Sequence, residues 1–176
     1  MLKLIEAEEK YLDQYQKAYE ESVDKINSGK MKPHNMMFMN TEEVDVIQKF
    51  KDDRDREKLP KDYVPAYNFF LVDDDIFLGV IMIRIELTDQ LLNYGGNIGY
   101  GIRPHYWKHG YGTKLLELGL IKAKELIDAD KVLITCDDDN VGSYKIIENN
   151  GGVLDNKVIN IEMGEEFLTR RYWIKL

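Results

Sequence analysis

YGIRPHYWKHGYGTKLL, residues 100–116, decides how this chain is read. Ile98, Tyr100 and Ile102 alternate with small or polar residues, the pattern of a strand. Pro104 removes a backbone donor and biases Arg103 away from helix, so the strand is expected to stop there. His105 to His109 make a polar, aromatic loop. Gly110-Tyr111-Gly112-Thr113 then opens a helix whose apolar positions run from Leu115 through Leu118, Leu120 and Ala123 to Ile127. A strand, a glycine-bearing turn and a helix start together form an anion site. The first-turn N–H groups have no intrahelical partner, and the helix dipole favours negative charge beside them. Glycine at such a turn lets a bulky phosphate diester touch the backbone.

Composition narrows the setting. At 176 residues the chain is expected to be one domain, residues 1–176, with a sizeable core. Apolar residues make up 44% and charged residues 32%, as in an ordinary globular protein rather than a disordered one. The net charge, 24 − 32 = −8, argues against nucleic acid as a partner. The lone Cys136 leaves no intramolecular disulfide to form and fits a reducing, cytoplasmic setting. Lys3, Glu6, Glu8 and Glu9 interrupt any leader-like start, and the longest apolar run, Ile76 to Ile83, is too short to span a membrane.

Working outward, Leu2, Leu4 and Ala7 suit a short first strand. Tyr11, Leu12, Tyr15, Tyr19, Val23 and Ile26 recur at helical spacing between Glu8 and about Asn27, and Gly29 is a stop. Residues 31–39 read as a loop with a soft Met36-Met37-Phe38-Met39 run. Asn40 or Thr41 is the expected cap of a second helix, with Val44, Ile47 and Phe50 facing inward. Asn68 to Val72 and Ile76 to Leu87 form a hairpin around Asp73-Asp74-Asp75. Three adjacent carboxylates in a turn do not converge on one ion, so no metal is expected there. Residues 88–96 read as a loop, and Asn97 to Arg103 as the strand feeding the glycine turn. After the long helix come a buried strand, Lys131 to Cys136, and a short helix capped by Asn140 and stopped by Gly151. Two strands around Met163 to Glu166 complete the chain.

Two of these pieces resemble the core motifs of the GNAT N-acetyltransferases. Ile102-Arg103-Pro104 stands for that family's V-x-P, and Trp107-Lys108-His109-Gly110-Tyr111-Gly112 for its Q/R-x-x-G-x-G/A loop. Asn140-Val141-Gly142-Ser143 stands for its N-x-x-A/S, followed by a short helix and a glycine. The order of elements agrees along nearly the whole chain. One departure is Trp107, where the family has Gln or Arg; Lys108, His109 and Lys114 are the candidates for the missing positive charge.

The resemblance implies an α/β fold: a mixed, mostly antiparallel central sheet, splayed in the middle and flanked by about four helices. Acetyl-CoA would lie in the splay as acyl donor, with no metal. Ile102, Arg103, Lys108, His109, Gly110, Tyr111, Gly112, Thr113, Asn140 and Ser143 would bind it. The implied reaction is direct attack of a primary amine on the thioester in a ternary complex. It needs a base for the ammonium, a donor for the carbonyl oxygen and help for the leaving thiolate. Many relatives carry a tyrosine four residues after the Ala/Ser of the second motif, where this chain has Ile147. Ser143 is then the candidate acid, and Tyr144 the other local hydroxyl. Where relatives often carry an acid at the start of the strand, this chain has Asn97. Glu86 is the candidate base and Asp89 the second choice. A small cationic amine or a protein N-terminus is the expected acceptor, and a homodimer the assembly implied by relatives. Two alternatives stay open: a CoA-binding sensor without catalysis, and an interaction domain that keeps only the fold.

Overall fold

A sheet that parts in the middle organises the chain. The computed structural model describes residues 1–162 and 164–176. In it β1 (Leu2–Ile5), β2 (Ala66–Asp73), β3 (Ile76–Arg84) and β4 (Ile98–Ile102) form one antiparallel sheet in that order. β5 (Lys131–Asp137), β6 (Val153–Glu162) and β7 (Glu165–Lys175) form a second, with β7 in the centre. Around them pack α1 (Leu12–Asn27), α2 (Val46–Asp52), α3 (Asp89–Asn93), α4 (Tyr111–Leu126) and α5 (Val141–Asn149). This is the splayed, mostly antiparallel α/β fold that the resemblance implies. The share of the tail turn assigned to Met163 lies outside the described residues.

Strand alternation sends apolar side chains to two cores on opposite faces. Leu71, Ile81, Ile83, Ile98, Ile134 and Cys136 pack under Leu115, Leu116 and Ala123 of α4 and Ile147 of α5. Phe70, Val72, Phe77 and Val80 pack under Tyr15 and Ala18 of α1, Val46 and Phe50 of α2, and Phe38. β2 and β3 are covered on both faces, which is why they read as nearly continuous apolar runs. Tyr15 is fully buried, and burial pushes its phenol up to about 12. Its oxygen accepts from Met39 N–H at 3.1 Å, pinning the end of the 31–39 segment to α1.

Two elements differ from their sequence reading. α2 begins five residues later than expected. Asn40 caps only a turn, its Oδ1 accepting from Glu42 N–H at 3.1 Å, and Asp45 caps the helix by accepting from Gln48 N–H at 2.9 Å. Burial of Val46 and Phe50 decides between two adequate caps, because a short helix is held by its packed face. Residues 88–96 contain α3, whose start is held by Thr88 Oγ1 accepting from Leu91 N–H at 3.2 Å. Five residues are too few for helical periodicity to show.

Candidate active site

β4 and β5 meet, among the described residues, around Gly96–Asn97 and Leu133–Ile134. Asn97 clasps them. Its N–H donates to Leu133 O (2.7 Å) and its Oδ1 accepts from Leu133 N–H (2.9 Å). Its Nδ2 donates to Arg84 O (3.2 Å) and its carbonyl accepts from Arg84 N–H (2.7 Å). The side chain is 5% exposed and fully engaged, so it is a structural amide rather than a vacant place for a base. A Cβ at Gly96 would overlap Leu133 O, so the approach needs glycine. Beyond this point the strands diverge.

The divergence exposes one edge of β4. Arg84 N–H bonds Asn97 O, and Arg103 N–H bonds Leu78 O. These two bonds set the antiparallel phase: the main-chain groups of Gly99 and Gly101 face β3, and those of Ile98, Tyr100 and Ile102 face the gap. Ile102 O accepts from the Trp107 indole N–H at 2.7 Å. Trp107 thus serves the end of the strand where a flexible polar side chain stands in relatives.

A single 3-10 turn, Pro104–Tyr106, follows β4. Lys108 has φ +66°, a left-handed conformation that costs a side-chain-bearing residue about 1 kcal/mol or more. Gly110 takes the same region, φ +82°, at no such cost and caps α4. The first intrahelical bond is Lys114 N–H to Gly110 O at 3.3 Å, so the N–H groups of Tyr111, Gly112 and Thr113 precede the ladder and are available to an anion. A Cβ on Gly112 would overlap Ile146 Cδ1, so glycine here lets α5 close on the start of α4. Asn150 Nδ2 fixes that contact by donating to Thr113 O at 3.1 Å. Asn140 caps α5 as expected, Oδ1 accepting from Ser143 N–H at 3.1 Å.

These elements enclose a cleft of about 1020 Å³. Ile102, Lys108, Gly110, Tyr111, Gly112, Thr113, Asn140 and Ser143, all expected at a cofactor site, line it. Lys145 of α5 lines it too and is a cation the sequence reading missed. Four expected residues are placed elsewhere. Arg103 pairs with Glu21 of α1 (Nη2–Oε1 2.6 Å), and the other oxygen of Glu21 accepts from His105 N–H at 3.0 Å. His109 Nδ1 lies 2.8 Å from Trp107 O. Lys114 pairs with Glu117 at 2.7 Å. Glu86 is half-exposed and pairs with Arg56 at 2.6 Å, outside the cleft lining.

Two polar groups line the cleft. On the α4–α5 side, Tyr100 Oη lies 2.9 Å from Ser143 Oγ and 3.1 Å from Ser143 O. Cys136 lines the same cleft, and burial pushes its thiol up to about 12. On the opposite side, Asp137 is 2% exposed. Its Oδ2 receives His34 Nε2 at 2.7 Å and Asn35 Nδ2 at 3.0 Å, and Lys32 Nζ stands 2.9 Å from Asp139. The His34 ring stacks on Phe167, centroids 4.8 Å apart. Met37 packs on β4, where a Cβ on Gly101 would come within 2.7 Å of Met37 Cβ. Residues 31–39 therefore form a strap from one arm of the gap to the other. Tyr100, His34 and Asp137 escaped the sequence reading. Only the strand phase through Tyr100 carried a signal, that its ring faces the same side as Ile98 and Ile102.

A splayed sheet with a helix N-terminus at its opening defines an α/β frame with a cleft suited to an anionic ligand, and comparison with known proteins places it further. The family model for an acetyltransferase (GNAT) domain matches residues 19–153, and the chain belongs to that family. Among solved structures, the microcin C7 self-immunity acetyltransferase MccE, in complex with acetyl-CoA and AMP, is 19% identical. It has TM-score 0.69 over 99% of this chain and 92% of its own. RimL, a ribosomal L7/L12 alpha-N-protein acetyltransferase in complex with coenzyme A, is 16% identical with TM-score 0.71 over 99% and 94%. An acetyl transferase from Salmonella typhimurium that modifies the N-terminal serine of ribosomal protein L7/L12 is 17% identical with TM-score 0.72 over 99% and 95%. At these identities the likeness is one of fold. A search of curated proteins found no match.

Proposed function

We propose that the protein transfers an acetyl group from acetyl-CoA to a primary amine by direct attack in a ternary complex. The observation that carries this is the gap between β4 and β5, with the unladdered N–H groups of α4 at its opening, in a chain of the GNAT family. The residues fit the donor. Tyr111, Gly112 and Thr113 N–H suit a diphosphate, Lys108 and Lys145 supply charge, and the exposed edge of β4 suits pantetheine amides, which would add to it as a strand does. Tyr100 N–H is the main-chain donor in this reading for the carbonyl oxygen as it gains charge. Ser143 hydrogen-bonds the departing sulfur.

The acceptor then comes from the strap side. Asp137, with His34 bonded to it, supplies negative charge for the ammonium and a site for its proton, the task first assigned to Glu86. Net charge −8 favours a cationic acceptor. A protein N-terminus is one such group, and it is the acceptor of the two N-terminal acetyltransferases above.

The test is thiol release from acetyl-CoA with peptide N-termini, polyamines and amino-sugars. Turnover with one class is expected, and Asp137→Asn should lower kcat/KM for the amine at least about tenfold with the KM for acetyl-CoA little changed. Binding of CoA without turnover of any amine would favour the sensor reading. A melting temperature that does not move at millimolar CoA would overturn both, since a native-state ligand must raise it.

A further inference from the structure

We propose that Tyr100 is a positioning residue for Ser143: its phenol, crossing the gap from β4 to the first turn of α5, aims the Ser143 hydroxyl at the sulfur that leaves when an acyl thioester is cleaved. This rests on the acetyl-transfer reading above.

The geometry allows two hydrogen arrangements. A phenol has one proton to give, and a carbonyl can only accept. If Tyr100 O–H donates to Ser143 O at 3.1 Å, Ser143 O–H is drawn onto the phenol oxygen and no proton faces the cleft. If Tyr100 O–H donates to Ser143 Oγ at 2.9 Å, the Ser143 proton is released toward a third group. Cys136 and Ser143 line the same cleft, and a thioester sulfur entering it would be such a third group.

The phenol that α5 itself carries, Tyr144, is not part of the cleft lining, and its ring lies against the Arg170 guanidinium, 4.1 Å from the centroid. The position one helical turn beyond Ser143 is Ile147, fully buried in the core. Tyr100 supplies the ring from the opposite arm. Its main chain faces the gap while its side chain runs to α5, so one residue presents an N–H to the gap and an O–H to Ser143.

Burial raises the Tyr100 phenol well above its ordinary range, against the pull of Ser143, so the phenol keeps its proton. Its contribution is direction. As the amine nitrogen bonds to the carbonyl carbon, the C–S bond breaks and its electron pair goes to sulfur, whose charge the Ser143 O–H then holds. The proton that ends on sulfur comes from water and balances the second proton lost by the attacking nitrogen.

The experiment uses the full chain with Tyr100→Phe, Ser143→Ala and the double variant. Two readouts are taken: kcat and KM with acetyl-CoA, and the thiol pKa of bound CoA by its ultraviolet thiolate absorbance, referenced to desulfo-CoA. Cys136, held near 12, stays silent in the working range. Tyr100→Phe should lower kcat about tenfold or more with KM within about twofold. It should also raise the bound thiol pKa by about half a unit or more. The double variant should be no worse than the worse single one, as for residues acting as a unit. Unchanged kcat, or a change in KM and melting temperature with the thiol pKa unmoved, would overturn the proposal and leave Tyr100 a packing residue. Failure of the unmodified protein to bind CoA would instead overturn the acetyl-transfer reading itself.

Discussion

Replacing Asn97 by alanine tests how the two sheets are joined. The substitution removes an acceptor from the buried Leu133 N–H and a donor from Arg84 O. A buried N–H left without a partner costs about 1–3 kcal/mol, and the lost bond to the carbonyl about 0.5–1.5 kcal/mol more. The sum, roughly 1.5–4.5 kcal/mol, is a large share of the roughly 5–15 kcal/mol that holds a typical domain together. At about 2–4 °C per kcal/mol for a chain of this size, the melting temperature should fall by roughly 3–18 °C. Urea titration should show a lower midpoint, and amide exchange at Leu133 should accelerate. Asn97→Asp is the second arm. It keeps an acceptor for Leu133 N–H but sets a carboxylate against Arg84 O, so it should also lose stability, and it should be no faster in turnover. An alanine variant within about 0.5 kcal/mol of the parent, or an aspartate variant that gains activity without losing stability, would refute the clasp.

Other perturbations have equally definite outcomes. Gly112→Ala should raise the KM for acetyl-CoA several-fold and cost about 1–3 kcal/mol by overpacking. Adding Ile146→Val, which deletes the overlapped Cδ1, should restore much of both in melting and initial-rate measurements. Glu21 has its carboxyl held below the ordinary 4.5: burial would raise it, but Arg103 and the His105 N–H outweigh burial. A depressed folded pKa stabilises above the unfolded value and is lost as pH falls through the folded one. Glu21→Gln should therefore cost about 1.5–3 kcal/mol at neutral pH, and its gap from the parent should close below about pH 4.5 in denaturant titrations. With its thiol near 12, Cys136 presents about one thiolate in ten thousand at pH 8, so a disulfide reagent should label it far more slowly than a free thiol. CoA should slow it further, because Cys136 lines the cleft. Rapid labelling of the folded protein would show that the burial of Cys136 is wrongly drawn.

What the sequence disclosed was local. Gly110, with its positive φ at a helix start, and Asn140, capping three residues ahead, act on near neighbours, and both could be read directly. The strand order was legible because hairpin spacing and a long helix between strands leave few arrangements. The site's decisive pairings are long-range. Asn97 finds Leu133 36 positions away, Tyr100 finds Ser143 43 away, and His34 finds Asp137 103 away. No spacing rule brings such partners together. Arg103 shows the same limit: a cation beside a phosphate-type loop looks like a ligand residue until Glu21, 82 positions earlier, is seen to hold it. Asp137 is the first of three successive carboxylates, Asp137-Asp138-Asp139, and which of such a run is buried cannot be seen from the residues alone.

The strap across the sheet's parting lines one side of the cleft, and the starts of α4 and α5 line the other. For the proposed reaction, nucleotide and amine would be held by different walls of that cleft, so both can be seated at once. Steady-state rates should then give intersecting rather than parallel lines.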